Sequence, residues 1–147
     1  MFIYALLFFY LKMSVNYLAV FLAAVVSFVL GMLWYSPVLF GKQWMKLSGL
    51  GKKDIGKAKK KKMTGIMLTA FIANLVMAWV FLYLLGMLGY SDVLSGIVLG
   101  FLVWIGFFAT TMLGSVLWEG KPWGLYVINA GYQLVNLVVI GAVLGAF

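Results

Sequence analysis

Residues 57–88 read KAKKKKMTGIMLTAFIANLVMAWVFLYLLGML, a polybasic run that passes directly into a long apolar stretch without a single charge. A helix needs about 20 predominantly apolar residues to cross a hydrocarbon core, and residues 64–88 satisfy that length. The run is continuous, without the period-two alternation of a barrel strand, so a helix is the expected conformation. The lysines beside it set a direction, because basic loops are retained on the cytoplasmic side during insertion.

Moving outward, nine lysines lie between Lys42 and Lys62, while the chain as a whole is 66% hydrophobic and 10% charged. That balance describes an integral membrane protein, not a soluble domain. At 147 residues it fits one domain, and its +8 charge is a property of one loop. The charge therefore points to anionic headgroups, with no groove-reading motif to suggest nucleic acid. Cysteine and histidine are both absent, which removes disulfides, thiolate nucleophiles, imidazole bases and the usual zinc, haem and copper ligand sets. No metal, no cofactor and no enzymatic activity are expected.

Four stretches are long enough to span, near residues 15–35, 64–88, 93–118 and 123–146. Pro37 ends the first, since the residue before proline avoids the α region and proline has no N–H to donate. Gly86 and Gly89 loosen the end of the second, and Ser91 or Asp92 can cap the third. Gly120 suits a helix C-terminus, and Pro122 suits the first position of the next helix. The fold expected is an all-α, four-transmembrane-helix antiparallel bundle in a prokaryotic cell membrane. Loop 36–63 is placed in the cytoplasm and both termini outside, and Lys121 in the third connection agrees with that side.

Residues 1–12 form an apolar extension that is too short to span alone and is set off by Lys12. They lack a basic start and a small-residue cleavage site. Either translation begins naturally at Met13, or the segment is an outer interfacial helix continuous with the first span. The membrane domain proper is residues 13–147.

Two aromatic motifs fall at the lysine side: Trp34-Tyr35-Ser36-Pro37-Val38-Leu39-Phe40-Gly41-Lys42-Gln43-Trp44, and Trp118-Glu119-Gly120-Lys121-Pro122-Trp123. Trp and Tyr favour headgroup depth, where the ring is buried and its polar edge stays wet, so one reading is an anchoring belt. The sharper reading is a cytoplasmic cap in which Glu119 pairs with Lys42, Lys46 or Lys121. Such exposed pairs contribute little energy.

With Gly31 through Trp44, Gly106-Phe107-Phe108-Ala109-Thr110-Thr111, Trp118 through Trp123 and Ile128-Asn129-Ala130-Gly131-Tyr132, the chain resembles the DUF1761 family of small bacterial, archaeal and fungal membrane proteins. The resemblance runs from Asn16 to the C-terminus. It implies a four-helix membrane protein whose activity is unassigned.

In the fourth stretch, Asn129, Gln133 and Asn136 fall within a sector about 60° wide at 100° per residue, flanked by Tyr126 and Tyr132. Facing lipid would leave each amide unsatisfied at roughly 2 to 7 kcal/mol, so this stripe should face protein or trapped water. Asn74 in the second stretch and Thr110, Thr111 and Ser115 in the third are its expected partners. Interhelical bonding of this kind is worth under about 2 kcal/mol per contact. Gly96 with Gly100, Gly141 with Gly145, and Ala23, Ser27 and Gly31 place small residues every fourth position. They serve either packing within a protomer or homo-oligomerisation.

The lysine loop reads as solvated, with Lys59–Lys62 placed against anionic headgroups at about 1 kcal/mol per charge. Three classes of function follow. A non-catalytic structural or accessory component, joining a second copy or a membrane partner subunit, needs only what has been described. A small transporter or channel for a neutral or amphiphilic solute would use the polar stripe, although Asp54, Asp92 and Glu119 leave no ionisable group near the midplane for coupling. A membrane enzyme lacks a nucleophile and base pair.

Overall fold

The computed structural model of the chain describes residues 16–49 and 60–147, the side chains of 60–62 excepted. Expectations placed on residues 1–12, on a start at Met13, and on the Lys52–Lys59 part of the loop lie outside the described residues. So does the headgroup contact assigned to the Lys59–Lys62 side chains.

Five helical elements follow in order: α1 (Tyr17–Trp34), α2 (Gly41–Ser48), α3 (Lys60–Leu88), α4 (Val93–Leu117) and α5 (Trp123–Gly145). All but α2 are long and apolar enough to cross a membrane, and no strand occurs among the described residues. Each span lies within a few residues of its expected bounds. The largest departure is the start of α3 inside the lysine run.

Local chemistry sets the ends. Asn16 caps α1, its side-chain oxygen accepting from the Ala19 amide at 3.1 Å. Gly89, at φ 71°, closes α3 by letting Tyr90 N–H reach Leu85 O at 3.0 Å while its own N–H reaches Gly86 O at 3.2 Å. That pair of returning bonds is a Schellman motif. Asp92 then opens α4 by accepting from the Ser95 amide at 2.9 Å and the Ser95 hydroxyl at 2.5 Å. These bonds, the hydroxyl's first, hold the Asp92 carboxyl below the usual carboxylate range.

Inside α4 the winding widens to a π turn over Trp104–Ala109. Such a turn displaces backbone carbonyls from the regular ladder and leaves them able to accept from elsewhere. Here the Tyr126 hydroxyl of α5 donates to Ala109 O at 3.0 Å, and the Trp104 indole donates back to Ala130 O at 2.8 Å.

Helix α5 occupies the middle of the assembly, packed against α1 on one side and α4 on the other, and touching α3 as well. Contacts between α4 and α5 pair Gly96 with Gly141 and Gly100 with Leu137, so the two helices run in opposite directions. A Cβ built on Gly96 would stand 2.0 Å from Gly141 O, and one on Gly141 equally close to Gly96 O. Only glycine permits that backbone approach, which gives dispersion and weak CH contacts in place of side-chain packing. Both GxxxG pairs are thus engaged within the protomer, as are Ala23 and Ser27, which are fully buried in α1. By contrast α3 and α4, although joined by a short turn, touch only sparsely. A short turn therefore does not by itself make two of these helices packing neighbours.

Candidate functional site

The polar stripe of α5 divides into two differently built sites. At mid-bundle, Asn136 is 1% exposed, Ser27 of α1 0% and Asn74 of α3 9%. The Ser27 hydroxyl lies 2.5 Å from Asn136 Oδ1 and 2.9 Å from the side-chain amide of Asn74. One hydroxyl has one proton, so it cannot donate to both. Since Asn136 Nδ2 donates to Met77 Sδ at 3.7 Å, its oxygen is the natural acceptor for Ser27. The Asn74 amide then turns its nitrogen toward Ser27, and every member finds a partner. Three helices are tied by one serine.

Towards the lysine end the same face of α5 carries Asn129. Its Oδ1 accepts from the Tyr35 hydroxyl and from the Trp44 indole, each at 3.1 Å. Tyr35 sits one residue past the α1 span, and Trp44 sits on α2. A folded-back turn brings them together, with Phe40 N–H returning to Trp34 O at 3.0 Å and Gly41 N–H to Ser36 O at 2.9 Å. Gly41 is required there, because a Cβ would come within 2.2 Å of Tyr35 O. Burial, and then the neighbouring Tyr132, push the Tyr35 phenol up to about 12, so at neutral pH it is a donor.

Aromatic rings line this turn. Tyr35 meets Trp44 edge-on at 5.7 Å and Tyr132 at 5.2 Å, while Trp34 lies 4.6 Å from Phe40. The Trp34 indole also donates to Ile128 O at 3.2 Å. With Trp104 acting from α4, α5 is clasped by indole donors from both neighbours. Between α2 and α5 opens a pocket of about 520 Å³, lined by Tyr35, Pro37, Gly41, Trp44, Met45 and Asn129.

Several expected partners lie elsewhere. Thr110 and Thr111 are exposed, and their hydroxyls bond back to Gly106 O and Phe107 O of their own helix, while Ser115 bonds to Met112 O. The physical reason is proximity: a hydroxyl reaches the carbonyl one turn earlier more readily than a neighbouring helix. Of the partners proposed for the stripe, only Asn74 reaches it. Gln133, one turn beyond Asn129, has a buried Oε1 with no hydrogen-bond partner among the described residues.

The cap also differs from its expected form. Glu119 is exposed and makes no ion pair with Lys42, Lys46 or Lys121 among the described residues, and an exposed pair gains little over its separated charges. Trp118 is 88% exposed, and Trp123, also exposed, meets only Tyr126, at 5.9 Å. Lys121 belongs to the turn through its backbone, whose N–H reaches Ser115 O at 3.0 Å past Gly120 at φ 65°. The lysine-end structure is therefore built by Trp34, Tyr35, Pro37 and Trp44 on α5, without the second aromatic motif.

Sequence reasoning missed three contributors: Ser27, taken as a small packing residue; Trp104; and α2, whose short run overlaps the first aromatic motif, read as a belt or cap without a helix of its own. The Gly41-to-Gly49 spacing and the apolar pair Trp44 and Leu47 on one side of it were the available signal for that helix.

Across the chain, a family model described as a protein of unknown function, DUF1761, matches residues 18–145. No curated protein and no solved structure matches it.

Proposed function

The chain belongs to the DUF1761 family, and from that membership and the interior just described we propose that it is a non-catalytic accessory component of the cell membrane. The observation that supports this is the Ser27, Asn74 and Asn136 cluster, whose polar groups satisfy one another in the middle of the bundle. A permeation path needs polar groups that face a solute. These face each other.

In this reading, the lysine end lies at the cytoplasmic surface and residue 91 on the opposite one. The chain has no cysteine, so Gln43→Cys and Ser91→Cys can be labelled without background. Gln43→Cys should react only from the cytoplasmic side and Ser91→Cys only from outside, and the reverse pattern ends the assignment. Association with a second copy or a partner subunit uses the outer faces of α3 and α4, where Val76, Trp79, Phe101 and Phe107 are exposed.

A second reading, passage of a neutral or amphiphilic solute, is favoured by the buried Gln133 Oε1, without a partner among the described residues and one turn from the pocket-lining Asn129. Proteoliposomes separate the two. The accessory role requires that small neutral solutes leak no faster than from protein-free vesicles. A faster flux that Asn129→Leu or Gln133→Leu abolishes in folded protein would replace it with transport.

A further inference from the structure

The pocket between α2 and α5 combines features that the accessory role does not use. Its walls are Tyr35, Pro37, Trp44 and Met45, apolar surfaces placed just past the end of the α1 span, at the depth of lipid headgroups. Its volume, about 520 Å³, is far more than a water or a simple ion fills. At its floor Asn129 uses its oxygen twice, for Tyr35 and Trp44, while its amide nitrogen carries no hydrogen bond among the described residues. An occupant must therefore supply an acceptor oxygen to that N–H group and apolar surface to the walls.

Charge narrows the class. Gly41, Trp44 and Met45 line the pocket from α2, and Lys42 and Lys46 each follow one of them, about 100° further round the helix. Both are exposed, and among the described residues neither pairs with a carboxylate. Long lysine stems carry their charge to a nearby interface. A neutral amphiphile would leave that pair of cations unused, and a bare anion would leave the aromatic walls uncovered.

We propose that this pocket is a binding site for the headgroup of an anionic glycerophospholipid. A phosphate oxygen accepts from Asn129 Nδ2, Lys42 and Lys46 supply the countercharge, and Trp44, Pro37 and Met45 cover the glycerol and the first chain carbons. An amide N–H to a phosphate oxygen is a charge-assisted bond, stronger than one to a neutral acceptor. The site holds one lipid per chain. It is distinct from general attraction of the polybasic loop to the leaflet, which needs no pocket, and it stands or falls separately from the flux measurement above.

The test uses the full chain in bilayers of phosphatidylglycerol and phosphatidylcholine with matched acyl chains, with retained lipid counted by native mass spectrometry. Asn129→Asp is the informative variant: it keeps an acceptor for Tyr35 and Trp44 but removes the donor and places a negative charge at the floor. Wild type should retain one phosphatidylglycerol. Asn129→Asp should weaken this by about tenfold or more, and Lys42→Gln and Lys46→Gln by about fivefold each. Lys121→Gln, at a residue that does not line the pocket, should leave it unchanged.

The Trp44 indole N–H resonance, assigned by its loss in Trp44→Phe, checks that the turn survives in Asn129→Asp. If it does not, the two exposed lysine variants decide alone. Equal retention of phosphatidylcholine, or undiminished retention in the lysine variants or in a correctly folded Asn129→Asp, overturns the proposal. Displacement of the lipid by soluble glycerol phosphate in detergent also overturns it, by assigning the pocket to a free organophosphate.

Discussion

Asn136 and Asn129 stand two turns apart on one face of α5, yet they do opposite work. Asn136 is enclosed by Ser27, Asn74 and Met77, with both ends of its amide engaged. Asn129, which lines an open pocket, is held by its oxygen, and its nitrogen carries no hydrogen bond among the described residues. The same side chain is a clamp where three helices converge, and a half-used donor where the bundle meets the headgroups. What separates them is the number of neighbours able to answer each atom.

The severest way to break this arrangement is to separate α5 from α4. Gly141→Ala inserts a Cβ 2.0 Å from Gly96 O, so the two backbones must part. A loss of about 3 kcal/mol is expected in detergent unfolding, with both asparagine sites disturbed. Ordinary stability in this variant would mean that the seam is not as close as described.

Next in size, Asn136→Leu takes from the buried Ser27 hydroxyl its acceptor in α5 and should cost about 2 kcal/mol. Pairing it with Ser27→Ala sharpens the comparison. The double variant should recover part of that loss, and strict additivity of the two changes would deny the coupling. At the rim the effect is smaller. Trp44→Phe removes one indole bond to Asn129 and should cost about 1 kcal/mol, seen as a modest fall in unfolding midpoint with mid-bundle protection from hydrogen exchange intact.

The least disruptive probe is pH. Tyr35 has its folded pKa raised to about 12 from an ordinary 10.0, so its contribution to stability is fully present below pH 10 and is lost as pH rises towards 12. A tyrosinate absorbance difference between wild type and Tyr35→Phe should titrate in that window. A midpoint near 10 would show a phenol free of the site.

The difference between the two asparagines also marks where sequence reading succeeds. Helix ends at Pro37, Gly89 with Asp92, and Gly120 with Pro122 follow from chemistry within a few residues, and all are legible. The shared face of Asn129, Gln133 and Asn136 follows from helical periodicity and is legible too. Partner identity is not, because Ser27 and Asn136 are joined across 109 positions and Trp44 and Asn129 across 85. Ser27 fits equally as a small packing residue and as a donor, and only the geometry of three converging helices chooses. The hydroxyls of Thr110 and Thr111 looked available from composition, but carbonyls one turn back on their own helix take them first.

The central position of α5 bears on how the protein is assembled. It is the last of the four spans to leave the ribosome, yet α4 packs chiefly against it and α1 packs against it as much as against α3. Until residues 123–145 enter the bilayer, Ser27 has no Asn136 to accept from it, Trp34 and Trp104 have no carbonyls to receive their indoles, and Gly96 faces no glycine. Three inserted spans are thus a loose intermediate with exposed polar groups, and the arrival of one helix closes all of these contacts together. A nascent chain arrested before Trp123 leaves the Ser27, Trp34 and Trp104 donors without the acceptors that α5 brings.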